Sequence, residues 1–107
     1  RIHVIFHPHR YTRTADLIDE FVGAFKDADT LLVLPIYAAS ETPIPGVTGE
    51  LLAGRIAGPR TRYVPDFDAA IAAVAEEARE GDLILTLGAG NVSQLAPQIV
   101  ERLGTSD

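Results

Sequence analysis

The run His9-Arg10-Tyr11-Thr12-Arg13 gathers the most chemically capable side chains in a sequence of 107 residues. If the turn that carries them is helical, Arg10 and Arg13 lie three positions apart and can face the same spot. Two guanidinium forks beside a helix N-terminus make a receptor for a carboxylate or a phosphate. The bland alternative is that both are surface arginines paired with Asp16 or Glu20, in contacts that are common and weak. His9 could orient an anion or assist proton movement near neutral pH, or it could be a hydrogen-bonded bystander. His3 and His7 fit strand positions and are assigned no chemistry. His7 and His9 would share a face of an extended strand, but no Asp or Glu lies within six residues of either, so a zinc site is not expected.

Other motifs exclude more than they propose. Gly88-Ala89-Gly90 runs as G-x-G-x-x-S, follows the last apolar strand rather than the first, and has no acidic residue about twenty positions on, so it does not read as a dinucleotide fingerprint. A tight strand-to-helix turn that needs glycine backbone freedom explains it. The sequence has no G-x-x-x-x-G-K-[ST] phosphate loop and no G-x-S-x-G nucleophile elbow. With no cysteine there is no disulfide framework, thiolate metal site or thiol nucleophile.

The elements that must position these residues follow from periodicity. Ile2 to Phe6 is a β-branched and aromatic run stopped by Pro8, which predicts a strand. From Thr14 the period becomes helical, with Leu17, Ile18, Phe21, Val22 and Phe25 on one face and Asp16, Asp19 and Glu20 near the start or opposite. Leu31 to Leu34 predicts a strand buried on both faces. Tyr37 to Thr48 is a long loop in which Tyr37 and Glu41 could form a lid or substrate loop. A short helix over Glu50 to Ile56 and a short strand over Arg62 to Val64 come next. Asp66 is placed to cap a helix whose apolar face is Phe67, Ile71, Val74, Ala75 and Ala78. Gly81-Asp82 ends that helix. Leu83 to Leu87 reads as the clearest buried strand, and a last helix starts near Ser93, with Leu95, Ile99 and Leu103 on one face and Pro97 in its first turn. Alternating strands and helices with near-continuous apolar strands predict an α/β fold, a small parallel sheet covered by helices on both faces. Four strands leave at least one edge expected to be covered by something else.

Length and composition bound the partners. The chain fits one compact domain, and 47% hydrophobic with 22% charged residues is an ordinary globular composition. The net charge of −6 argues against bulk nucleic-acid binding. No apolar run approaches the roughly 18 residues of a membrane span, so no membrane is expected and the cytoplasm is the default compartment. Residues 1–13 nevertheless carry Arg1, Arg10 and Arg13 and no acid, a cationic segment in an acidic body suited to a small anion. The sequence begins at Arg1 and contains no Met, and an excised piece of a longer protein is the expectation.

Phe6 to Thr14, FHPHRYTRT, resembles the F-Q-P-H-R-Y-T-R-T motif of Mur ligases that act on L-alanine. The resemblance runs on through Asp19-Glu20-Phe21, Ile36-Tyr37-Ala38-Ala39 with Glu41, Pro43 to Val47, Tyr63 to Asp66, and Gly81-Asp82-Leu83 leading to Gly88-Ala89-Gly90. It covers nearly the whole chain in order.

The resemblance implies a fragment, residues 1–107, of the C-terminal (third), Rossmann-like domain of an ATP-dependent ligase in peptidoglycan synthesis, and hence in cell shape and division. It implies the joining of L-alanine to UDP-N-acetylmuramate through an acyl phosphate, with ATP and Mg2+ bound mainly by a central domain. This domain would present the amino acid and close over the nucleotide, and alone it would be inert. Carried over by position, His9, Arg10 and Arg13 surround the alanine, with Arg13 and Arg10 on its carboxylate. The family's preceding strand–helix unit, with its D-D-Y-G-H-H-P-like motif, is absent. His7 stands where Gln is usual, Pro35 where Asp is common, and Asn91 where Asp is usual. A related ligase that recycles a muropeptide, or a non-catalytic anion-binding α/β module, are the alternatives.

Overall fold

A computed structural model of the chain describes residues 1–88 and 95–104. Strands and helices alternate: β1 (Ile2–His7), α1 (Tyr11–Ala24), β2 (Thr30–Val33), α2 (Gly49–Arg55), β3 (Arg60–Tyr63), α3 (Phe67–Glu77), β4 (Leu83–Gly88) and α4 (Leu95–Gly104). The strands pair in the order β3-β2-β1-β4, every pair parallel, as the alternating pattern predicts. Ile5 and Leu32 face a core completed by Val64, by Ile71 and Val74 of α3, and by Ile99 of α4. Val4, Phe6, Leu31 and Val33 face the opposite side, against Leu52 of α2, Ile18 and Phe21 of α1, and Phe25 just after that helix. Alternate residues of two central strands are thus buried on opposite faces, which is why those strands read as unbroken apolar runs.

Local sequence sets most of the helix ends. The Asp66 carboxylate accepts from the Ala69 N–H at 2.8 Å and starts α3, as expected. The Thr48 hydroxyl does the same for α2 through Leu51 N–H at 3.0 Å. Pro97 is the third residue of α4, where its missing N–H costs no helical bond. Gly81, at φ +90°, makes the turn that leads into β4. β3 runs two residues earlier than the sequence suggests at its start, over Arg60–Tyr63. The buried face of α3 is Ala70, Ile71, Ala73 and Val74, with Phe67 and Ala78 packed beside it. The expected start of the last helix near Ser93, the turn over Ala89, Gly90 and Asn91, and the side chains of Leu95 and Leu103 lie outside the described residues.

Two expectations are corrected. The helix expected from Thr14 begins at Tyr11 and has no acidic residue in its first turn. Leu83–Gly88 is an edge strand rather than a buried one, with Leu83, Leu85 and Leu87 exposed at 51%, 39% and 42%. Those leucines lie in register with Ile2, Val4 and Phe6, on the side where the rings of Phe21 in α1 and of Phe25 at its C-cap stand 5.2 Å from Phe6. Hydropathy records that both faces of β4 are apolar. It does not record strand order, which leaves one of those faces uncovered by any helix among the described residues.

A buried polar clamp ties the amino ends of three strands together. His3 on β1, almost wholly buried, meets the Thr30 hydroxyl of β2 at 2.7 Å through Nδ1 and the Asp82 carboxylate before β4 at 2.8 Å through Nε2. Asp82 also accepts from the Arg79 N–H at 2.9 Å, and the His3 contact foremost, then that N–H, hold its carboxyl far below the usual range. A depressed native pKa adds stability that is present above the unfolded value, about 4, and is lost as pH falls toward the native one. His3→Ala strips partners from Thr30 and Asp82 and is expected to destabilise the fold by about 1–3 kcal/mol. Thermal melts should show the gap from wild type widest above about pH 4 and shrinking in acid. Among the described residues no helix is long and apolar enough to cross a membrane.

Candidate functional site

In an open parallel sheet, ligands bind beyond the carboxyl ends of the strands, where the strand order reverses. Here the chain runs outward from β1 through β2 to β3 and then returns to the other side of β1, so the reversal lies between β1 and β4. His7 ends β1 opposite Gly88, which ends β4. Pro8-His9-Arg10 leads from that point into α1.

The segment after β2 runs alongside. His9 forms an isolated parallel bridge with Tyr37. Tyr37 N–H donates to Pro8 O at 2.8 Å, and Arg10 N–H donates to Tyr37 O at 2.7 Å. The Tyr37 ring, 44% exposed, stands with its centroid 5.7 Å from that of His7 and 5.6 Å from that of His9. Arg10 adopts φ +69° and ψ +142°, a conformation that residues with a β-carbon rarely take. Its carbonyl accepts from both the N–H (3.1 Å) and the hydroxyl (2.7 Å) of Thr14.

Glu41 caps α1 from a distance of thirty residues in sequence. Its carboxylate accepts from Tyr11 N–H at 2.6 Å, Thr12 N–H at 3.2 Å and the Thr12 hydroxyl at 2.6 Å. The Thr12 hydroxyl foremost, with the Thr12 and Tyr11 amides and the Arg10 charge adding to it, holds the Glu41 carboxyl below its usual pKa against the opposing effect of burial. Sequence reasoning placed Glu41 in a loop or lid and missed this contact. One signal was present: Arg10 is a poor N-cap, and no acid follows in the first turn, so the helix start needed an acceptor from elsewhere.

The expected anion-binding residues do converge. A cleft of about 350 Å³ at the β1–β4 reversal is lined by His7, Gly88, His9 and Arg13 among others. An adjoining groove of about 530 Å³ is lined by His9, Arg10, Thr12, Arg13 and Asp16. His9 and Arg13 line both. Arg10 is the residue before the helix and Arg13 its third residue, so the two share a groove without both being helical. Among the described residues neither arginine forms an ion pair: Arg55 pairs with Asp19, Arg60 with Glu77, and both His3 and the Arg1 amino terminus with Asp82. The surface-pair reading, with Asp16 or Glu20 as partners, is therefore not what the structure shows.

The cationic segment 1–13 is divided by the sheet. Arg1 sits at the opposite end of β1, its guanidinium on Glu77 O at 2.8 Å, roughly 20 Å of strand away from Arg10. The positive charge at the site comes from Arg10 and Arg13, with Asp16 lining the same groove. A separate hollow of about 320 Å³ between β3 and α3 is lined by His3, Arg60, Arg62 and Glu77 among others. Its Arg60 is paired with Glu77 and its His3 is held by the clamp, and it lies on the sheet's β3 edge. Among the described residues no three His, Asp or Glu side chains group as metal ligands.

Residues 1–90 match the family model described as Mur ligase, glutamate ligase domain. The chain is 59% identical over 102 residues to the UDP-N-acetylmuramate–L-alanine ligase of Acidobacterium capsulatum, covering 95% of this chain and 22% of that protein. It is 60% identical over 105 residues to the protein of the same name from Koribacter versatilis, again covering 95% and 22%. The chain thus spans a little over a fifth of the length of these relatives. Among solved structures it is similar to a domain described as coming from a UDP-N-acetylmuramate:L-alanyl-gamma-D-glutamyl-meso-diaminopimelate ligase of Haemophilus ducreyi. The TM-score is 0.61 at 19% identity, covering 96% of this chain and 68% of that one, a likeness of fold.

Proposed function

Because the chain belongs to the Mur ligase family, we propose that it is part of the third domain of an ATP-dependent UDP-N-acetylmuramate–L-alanine ligase and receives the amino acid. The observation that carries this reading is the convergence of His9, Arg10 and Arg13 at the carboxyl end of β1, beside the strand reversal, with neither arginine in an ion pair among the described residues. The names of the relatives at 59% and 60% identity supply the substrates.

In this reading the Arg13 fork, with Arg10 beside it, holds the alanine carboxylate by charge-assisted hydrogen bonds. The bound amino acid then has one end fixed and its amine presented, which removes the entropy of bringing nucleophile and acceptor together. His9 lines the same groove and can orient the carboxylate or take a proton from the ammonium before it attacks. Among the described residues neither ATP nor Mg2+ has a dedicated site. The sequence has no phosphate-binding loop, and the described residues gather no metal-ligand set. ATP and Mg2+ would be bound mainly by the ligase's central domain, with this domain closing over the nucleotide, and the cytoplasm is the compartment in which we place it.

The test is acceptor choice. The full-length ligase containing this chain is assayed for ATP-dependent ligation to UDP-N-acetylmuramate with free L-alanine and with a muramyl-type tripeptide. Selective use of L-alanine is expected. Preference for the tripeptide would make it a recycling ligase, and no ligation with either would leave an anion-binding module.

A further inference from the structure

Among the described residues, positive φ at a residue other than glycine occurs at Arg10 (+69°), Ala39 (+50°) and Ser40 (+73°). All three belong to one assembly. Ala39 and Ser40 form the middle of a turn closed by Glu41 N–H on Ala38 O at 2.9 Å, and that turn delivers Glu41 to the start of α1. Arg10 is the residue immediately before the amides that Glu41 accepts from. Backbone strain of this kind persists only where surrounding contacts over-determine it. Here the contacts are Tyr37 O on Arg10 N–H, Thr14 on Arg10 O, and Glu41 on Tyr11 and Thr12.

Resting on the functional reading above, we propose that Glu41 is a positioning residue: by capping α1 it locks the strained backbone of Arg10 and so sets the Arg10 guanidinium for the carboxylate of the acceptor amino acid. The arrangement also decides where that carboxylate goes. Free amides and the helix dipole make a helix N-terminus an attractive carboxylate receptor, but in α1 the protein's own carboxylate takes the Tyr11 and Thr12 amides. The incoming anion is left the guanidinium groups along the groove, where Arg10, Arg13 and His9 are gathered. Tyr37 and Glu41 are then two ends of one strap rather than a lid: the first holds Arg10 from its amide side, the second from the residue that follows.

The test uses the full-length ligase with Glu41→Ala, Glu41→Gln and Arg10→Ala, singly and with Glu41→Ala joined to Arg10→Ala. Loss of the cap should raise KM for L-alanine about five- to tenfold, with KM for ATP and for UDP-N-acetylmuramate unmoved and kcat within about threefold of wild type. Glu41→Gln, which keeps one acceptor oxygen, should recover most of the loss. In the Arg10→Ala background Glu41→Ala should add little, because its effect passes through Arg10. An unchanged KM for L-alanine, an equal rise in all three KM values, or full additivity with Arg10→Ala would overturn the role of Glu41. If wild type does not use L-alanine at all, the functional reading fails first and this role falls with it.

Discussion

In the proposed full-length ligase, Arg13→Ala is expected to raise KM for L-alanine by roughly 10- to 150-fold, the equivalent of the about 1.5–3 kcal/mol that a hydrogen bond to a charged group contributes. KM for the other two substrates should stay near wild type. Arg13 is singled out over Arg10 by position. It lines both the cleft at the β1–β4 reversal and the groove beside it, and it sits in the first turn of a helix whose first amides are already held by Glu41. Its backbone is regular helix, so its fork is presented without strain. Arg13→Lys should recover only part of the loss, since an ammonium keeps the charge but not two parallel donors. Competition by carboxylic acids that lack an amine separates carboxylate binding from amine positioning: they should inhibit wild type and lose potency against Arg13→Ala in step with the change in KM. A KM for L-alanine that stays within twofold of wild type would place the carboxylate elsewhere.

The second large effect is on stability. Gly88→Ala should cost at least about 3 kcal/mol, because its φ of +128° is itself costly for a residue with a side chain. A β-carbon there would also stand 2.1 Å from the His7 carbonyl oxygen and 2.9 Å from its carbon. Both obstacles are backbone atoms of the central strand, in register with Gly88, so relief requires β1 and β4 to part. For a domain near this size, a loss of that magnitude lowers Tm by on the order of 15 °C. Gly46→Ala is the control. Its φ is also positive, at +82°, but nothing lies within 4 Å of the added carbon, so only the conformational cost of about 1 kcal/mol should appear. If the two variants melt together, the close approach of Gly88 to His7 is wrong.

How much of this was legible beforehand depends on the range of the interaction. Ile2 to Phe6, Leu31 to Leu34 and the Asp66 cap were readable because their signals are local: apolar period, a proline stop, and a carboxylate three residues before the amide it accepts from. The parallel α/β layout followed from the alternation of those elements. The convergence of His9, Arg10 and Arg13 was readable because they are nearly adjacent in sequence. What could not be read joins distant positions. His3, Thr30 and Asp82 are 27 and 79 residues apart as pairs, and Glu41 reaches Tyr11 across 30. Nor does hydropathy give strand order, so β4 looked buried and Arg1 looked like part of the anion site. The helix start at Tyr11 was misplaced for the same reason: its cap is supplied by another loop.

The His3 clamp has a consequence for how this domain could be re-specified. It fastens β1, β2 and the approach to β4 at their amino ends, while the three strained residues and both arginines of the groove lie at the carboxyl end of β1. Anchorage and the proposed recognition groove therefore occupy opposite poles of the sheet, about one strand length apart. A library confined to positions 9–13 and 37–41 samples new acceptor preferences while the residues that lock the strand ends stay untouched. Variants lost from such a library should be lost through the local geometry of the strap rather than through the core.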